Sequence, residues 1–308
     1  MTFLKRTAIA LAAASTIALG GCSIPAVAPA FNTPPIVAPV TVGQRDLMYM
    51  PPPPQPIAVA VYGFNDQTGQ LKASDTGVNY SRAVTQGGTS ILVSALRSAA
   101  NGGWFNVIER EHLDNLLRER QIIREMRRQY LNEEVTPAAV LPSLLFAGVT
   151  LEGGIISYDQ SVTSGGIGAR LLGIGGSTQY RTNTATVYLR AVSVKTGEVL
   201  ANVITQKSVS SFALSGGAFR YLTYSDLLEA EVGVARNEPA QIAVQAAVEK
   251  AVYALIIEGA KPGPKQIWSF ADAKAGQAWI DRYTADRAKS LADVYHDNGG
   301  LPVAKPRK

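Results

Sequence analysis

Apolar residues along this chain follow two repeats, and the switches between them outline a fold. Residues 57–64 (IAVAVYGF) are an apolar run of strand length, with the β-branched and aromatic residues of a buried strand. Between about residues 81 and 100 the apolar positions Ile91, Leu92, Ala95, Leu96 and Ala99 recur at three and four. That spacing predicts a helix, and Asn101-Gly102-Gly103 ends it. Residues 104–109 read as a short strand. Residues 111–130 read as a second helix, with Leu113, Leu116, Leu117 and Ile123 on one face. Its other face is dense in Arg and Glu, a solvated or subunit-facing surface. A strand is predicted over 144–158 and a longer one over 182–194. Lys195-Thr196-Gly197 makes a turn, and residues 198–209 pair back as a hairpin. Asn237-Glu238-Pro239 opens a helix to about residue 257, with Asn as cap and Pro in the first turn. A final amphipathic helix fills 271–296, before a basic tail. The order predicts an α/β layer with a curved mixed sheet.

Two stretches fit neither repeat. Residues 161–181 hold six glycines and no acid, too much glycine for an ordinary strand or helix and too long for a turn. A glycine-rich phosphate loop, a disordered lid, and a pair of strands leaving the domain all compete for it. The second stretch, from about 212 to 234, is likewise rich in Ser, Gly, Tyr and small apolar residues.

The phosphate readings fail on residue identity. After Gly166 and Gly168 a dinucleotide fingerprint needs a third glycine where Leu171 stands, and after Gly173 and Gly175 one where Thr178 stands. Gly168 and Gly173 have P-loop spacing, but Ile174 occupies the lysine position. His112 and His296, the two histidines, are far apart, with no pattern for a metal or catalytic base. No sequence constellation supports an enzyme or a cofactor.

The N-terminus changes the picture. Lys5 and Arg6 precede an apolar run over 7–19, a secretory signal too short to span a bilayer as a helix. Leu19-Gly20-Gly21-Cys22 follows, and Cys22 is the sole cysteine of the chain. Leu, two small residues and Cys after such a run form a bacterial lipobox. Residues 1–21 are therefore read as a signal peptide, with a covalent lipid on Cys22. Ser23 stands where an Asp favours inner-membrane retention, which points to the outer membrane facing the periplasm. Residues 22–56, with Pro34-Pro35 and Pro51-Pro52-Pro53-Pro54, read as a tether. Loss of Lys5 and Arg6 reduces the formal net charge from +5 to +3, too weak an excess to argue for nucleic acid.

At an outer membrane the permitted spanning structure is a closed β-barrel, whose strands need about 9–11 residues. The regions of about 161–182 and 212–235 each have room for two such strands and a turn. Alternation is imperfect: it slips at Leu171-Leu172 and Phe219. Four strands close nothing, because the smallest barrels have about eight, so a barrel must be shared among several chains.

Several segments in order carry a family resemblance: Val61-Tyr62 with Asp66-Gln67-Thr68-Gly69-Gln70, Ser164-Gly165-Gly166-Ile167-Gly168-Ala169-Arg170, Thr178-Gln179-Tyr180, Thr196-Gly197-Glu198, and Phe219-Arg220 through Glu231-Val232-Gly233 to Asn237-Glu238-Pro239. The chain resembles the CsgG family of outer-membrane lipoproteins that form the curli secretion channel. The resemblance implies an α/β periplasmic domain over 57–270 with two inserted transmembrane hairpins, and a C-terminal helix and tail over 271–308. It implies a ring of about nine copies, since barrels of about 36 strands are known and each chain supplies four. It also implies ATP-independent passage of unfolded curli-like or adhesin subunits, a periplasmic gating factor and an extracellular coupling factor. A branch of the family exports holdfast-type anchors. The family's constriction loop carries an aromatic, an asparagine and a second aromatic. Asn79 and Tyr80 match the last two, while Ser74 or Asp75 lies where the first aromatic belongs. Asn79 also suits a helix cap, with Tyr80 packed beneath it. The rival to a secretion pore is a monomeric periplasmic lipoprotein that binds a partner and regulates cell-envelope assembly.

Overall fold

The computed structural model describes residues 40–69, 85–165, 178–214, 218–222 and 239–297. The compact unit runs from Thr41. Its frame is a six-stranded mixed sheet in the order β2-β1-β3-β4-β5-β6. Strand β1 (Ile57–Asp66) lies parallel to β2 (Phe105–Glu109) on one side and to β3 (Val149–Gly165) on the other. From β3 onward the sheet is an antiparallel meander through β4 (Thr178–Ser193), β5 (Val199–Leu214) and β6 (Ala218–Leu222). The apolar run of β1 is explained by this central, parallel position, with Val59, Ala60 and Val61 all buried. Gly197, at φ 73°, turns β4 into β5.

Helix α1 spans Val42–Met48 and α2 spans Gly88–Ser98. Helices α3 (Leu113–Leu131), α4 (Pro239–Ala260) and α5 (Ala273–Asp297) complete the set. Helix α4 packs on β4 and β5 and against α1 and α2. It is apolar nearly all round, so Val244, Val248, Leu255 and Ile256 are all completely buried. At one end Trp104, Phe105, Trp268 and Phe270 meet with centroids 5.4–6.2 Å apart, edge to face except for the tilted Trp104–Phe105 pair. Such pairs add about 0.5–1.5 kcal/mol beyond the area they bury.

Four sequence expectations are revised. The tether expected over 22–56 ends earlier: residues from 41 on belong to the fold. Thr41 Oγ1 accepts from the Gln44 amide and caps α1, while Leu47 and Met50 are buried in the core. The proline run is pinned too, since the Pro51 carbonyl accepts from Trp104 Nε1 (2.8 Å) and the Pro52 carbonyl from the Ala271 amide (2.9 Å). The helix expected from residue 81 begins at Gly88, because α2 crosses the end of β1 so closely that a Cβ there would collide with the Phe64 carbonyl. The strand expected over 144–158 begins at Val149, and Leu145 and Phe146 stay exposed. Helix α3 forms as expected, but no face of it is buried: Leu116, Leu117, Ile122, Met126 and Tyr130 are all exposed.

Candidate functional site

The two glycine-rich stretches emerge from strands that the core has already organised. Pairing of β3 with β4 is continuous from Val149↔Ser193 to Gly165↔Thr178, broken by one bulge between Ile155 and Ser157. The chemistry changes along that ladder. Leu151, Ile155, Val187 and Leu189 are completely buried beneath the helices. Beyond them the strands turn polar: Asp159, Gln160 and Ser161 are exposed, and Thr184 Oγ1 meets Ser208 Oγ at 2.8 Å. The first of the two glycine-rich stretches thus begins on the far end of β3 and returns on β4, and residues 166–177 lie outside the described residues. The second begins at the end of β5, where Ser210↔Leu222 to Leu214↔Ala218 form an antiparallel ladder with β6. Residues 215–217 and 223–238 lie outside the described residues.

At the root of these hairpins sits one buried polar pair. Tyr158 Oη donates to Asn183 Oδ1 at 3.0 Å, and Asn183 is 2% exposed. Asn183 Nδ2 has no partner among the described residues.

A second constellation frames both ends of residues 70–84. After β1, Asp66 Oδ1 accepts from the Thr68 amide (2.9 Å) and hydroxyl (2.7 Å), a local turn. The Gln67 amide donates to the Ile155 carbonyl at 2.9 Å, and its Nε2 donates to Tyr188 Oη at 3.1 Å. On the returning side, the Thr89 hydroxyl in the first turn of α2 accepts from the Phe64 amide at 2.9 Å. The same hydroxyl donates to Glu111 Oε1 at 2.8 Å. Ser74, Asp75, Asn79 and Tyr80 all fall inside 70–84, outside the described residues, as does Cys22. Thr89, Glu111 and Gln67 were invisible as a group in the sequence. Their contacts join β1 to α2, to the β2–α3 connection, to β3 and to β4, and no local repeat reports that.

Two carboxylates elsewhere hold the helical layer together. Burial pushes the Glu249 carboxyl above its usual range, although Thr41, Gln245 and the Gln44 amide all bond to it. Burial pushes Glu258 the same way, but Lys261, Tyr283 and Arg287 outweigh it and hold that carboxyl below its usual range. The described residues contain no group of three or more metal-ligating side chains, and no helix among them is long and apolar enough to cross a membrane.

Comparison with known proteins decides the family. The profile described as "Curli production assembly/transport component CsgG" matches residues 41–283. The chain belongs to the CsgG family. Its start at 41 coincides with the first residue of the compact unit, so α1 is part of the CsgG domain. The curli production assembly/transport component CsgG of Salmonella typhimurium is 39% identical over 241 residues, covering 77% of this chain and 84% of that protein. Its counterpart in Escherichia coli K12 is 40% identical over 232 residues, covering 74% and 81%. Among solved structures, the PelC dodecamer of Paraburkholderia phytofirmans is 13% identical, covers 64% of this chain and 86% of its own, and has a TM-score of 0.26.

Proposed function

We propose that the chain is a subunit of an oligomeric outer-membrane channel that secretes unfolded curli-like or adhesin subunits without ATP. The observation that carries this reading is the β3–β4 ladder, which stays paired to Gly165↔Thr178, beyond the buried Leu151, Ile155, Val187 and Leu189. A hairpin with nothing packed on it is marginal in water. Strands of 16 and 17 residues that begin in a core and continue past it suit insertion into a second environment. A bilayer accepts them only within a closed barrel, and four strands per chain require neighbours to close it. Membership of a family of curli production assembly/transport components supports the same reading.

In this proposal residues 1–21 are removed and Cys22 carries the lipid anchor. The α/β domain faces the periplasm, and about nine copies complete the barrel. Residues 70–84 form the constriction, with Asn79 and Tyr80 toward the bore and Ser74 or Asp75 where relatives place a first aromatic. A ring of tyrosines is apolar yet hydrogen-bonding, suited to an extended chain and too narrow for a folded one. A periplasmic gating factor and an extracellular coupling factor would be its partners. The test is native electrophoresis of detergent-extracted protein, followed by recording in a planar bilayer. Large rings with a uniform single-channel conductance are expected. A monomer without conductance overturns the channel and favours the periplasmic regulator.

A further inference from the structure

Helix α3 buries no side chain, yet the chain that follows it folds back along it. Asn132, at φ 53°, caps the helix and reverses the direction. Three arginines then hold the returning segment. Arg127 grips Glu133 with two bonds, Nε to Oε2 at 2.8 Å and Nη2 to Oε1 at 2.9 Å. Arg120 Nη2 donates to the Pro142 carbonyl, and Arg110 Nη2 donates to the Leu145 carbonyl at 2.8 Å. Between helix and segment lies an open groove of about 440 Å³. Its helical wall carries Arg120, Arg124 and Arg128, and its other wall carries Glu134, Val135 and Leu141. Arg120 is engaged by the Pro142 carbonyl and Arg128 by Glu125, at 2.8 Å. Arg124, in the middle, is exposed and has no hydrogen-bond or ion-pair partner among the described residues. A solvated helix face ordinarily alternates its charges three and four residues apart. Around Arg124 those positions are Arg120, Gln121, Arg127 and Arg128, none of them an acid. The spacing works against the helix itself, so the stripe calls for an anion from outside.

We propose that this groove docks an extended segment of a partner protein with carboxylates at alternate residues, and that Arg124 is its central contact. The site goes beyond the channel reading and does not depend on it. Residues four apart on a helix rise by about 6 Å. Alternate side chains on one face of an extended peptide are about 6.6 Å apart, so successive carboxylates meet successive guanidinium groups. The planar fork of arginine suits a carboxylate with two parallel bonds. The residues between the carboxylates point to the opposite wall, where Val135 and Leu141 receive apolar side chains. Glu134 on that wall repels an acid there, so alternation is selected over an unbroken acidic run. With Glu125 and Glu134 present, the groove keeps one net positive charge. That suits a peptide with a few acids better than a lipid surface or a nucleic acid, which are met by larger basic excesses.

The experiment measures fluorescence anisotropy of a labelled peptide, Gly-Glu-Val-Glu-Val-Glu-Gly, with detergent-extracted full-length protein. The control peptide, Gly-Val-Glu-Glu-Glu-Val-Gly, has the same composition with its acids together. Saturable binding of the alternating peptide is expected, several-fold tighter than that of the control. Arg124→Glu is expected to weaken it at least tenfold with an unchanged melting temperature, because the side chain is exposed and unpaired. Arg124→Lys, which keeps the charge and loses the fork, is expected to weaken it about threefold. Arg118→Glu makes the same charge change outside the groove and is expected to weaken it less than twofold. No binding of the alternating peptide overturns the proposal. Equal loss in Arg118→Glu and Arg124→Glu also overturns it, since the attraction is then general. If glycerophosphoglycerol, the headgroup of an anionic lipid, displaces the label more effectively than unlabelled peptide does, the groove reads lipid and the peptide proposal falls.

Discussion

Glu249 shows how much one side chain does where the N-terminal segment meets the helical layer. It is 3% exposed, and it accepts from Thr41 Oγ1 at 2.5 Å and Gln245 Nε2 at 3.0 Å. Burial dominates those bonds and raises its pKa. The folded protein therefore binds this proton more tightly than the unfolded chain does. The contribution of Glu249 to stability is greatest below the ordinary carboxylate value and declines as pH rises through its raised folded value. Glu258 acts in the opposite sense: its depressed pKa gives stability that is lost as pH falls. The two are separable by substitution. Glu249→Gln is expected to remove the decline that sets in as pH rises above the ordinary carboxylate range, with equal or greater stability once Glu249 would be ionised. Denaturant unfolding at several pH values checks this. A wild-type-like decline in the variant places the proton elsewhere.

At the scale of elements, helix α1 and the three long strands carry the main findings. Periodicity outlined most of the strands and helices because each is long enough to repeat its pattern. Helix α1 escaped because it has seven residues and offers one buried residue, Leu47, amid a proline-rich surround. Its place in the fold comes from tertiary contacts, which a proline count does not report. Leu47→Ala is expected to cost about 2–5 kcal/mol, the usual range for emptying a buried leucine site. Chemical denaturation measures it. A loss within about 0.5 kcal/mol, typical of surface positions, would return this segment to the tether. The start of α2 was misplaced for a related reason. Its apolar repeat is genuine, but the first turn must pass the Phe64 carbonyl, and Gly88 is what permits the approach. Helix α3 is the converse case. Its amphipathic pattern was legible, yet it buries nothing, because periodicity specifies a face and not what covers it.

At the scale of the whole molecule, the question is where the chain sits. In the proposed arrangement the lipid on Cys22 and the continued hairpins both attach the chain to a membrane from the periplasmic side. Cys22→Ala is expected to abolish lipidation, read as loss of the lipid mass from the N-terminal peptide. It is also expected to release the protein from the outer-membrane fraction. An unmodified cysteine in the wild type would overturn the anchor. About 18 residues then separate that anchor from Thr41.

Local chemistry by itself gave the order of the elements after α1, the mixed α/β class, the failure of the phosphate motifs at Leu171, Thr178 and Ile174, and the expectation of a lipid on Cys22. These are properties of short windows, set by side-chain period, turn residues and residue identity. Tertiary structure decided what lies between windows. It extended β3 and β4 as one ladder past the core, drew the segment from Thr41 into the fold, and brought the Phe64 amide, Thr89 and Glu111 to one point. The hydroxyl and carboxylate that meet there are 22 residues apart in the chain, and the crossing of α2 over the end of β1 together with the β1–β2 pairing brings them together.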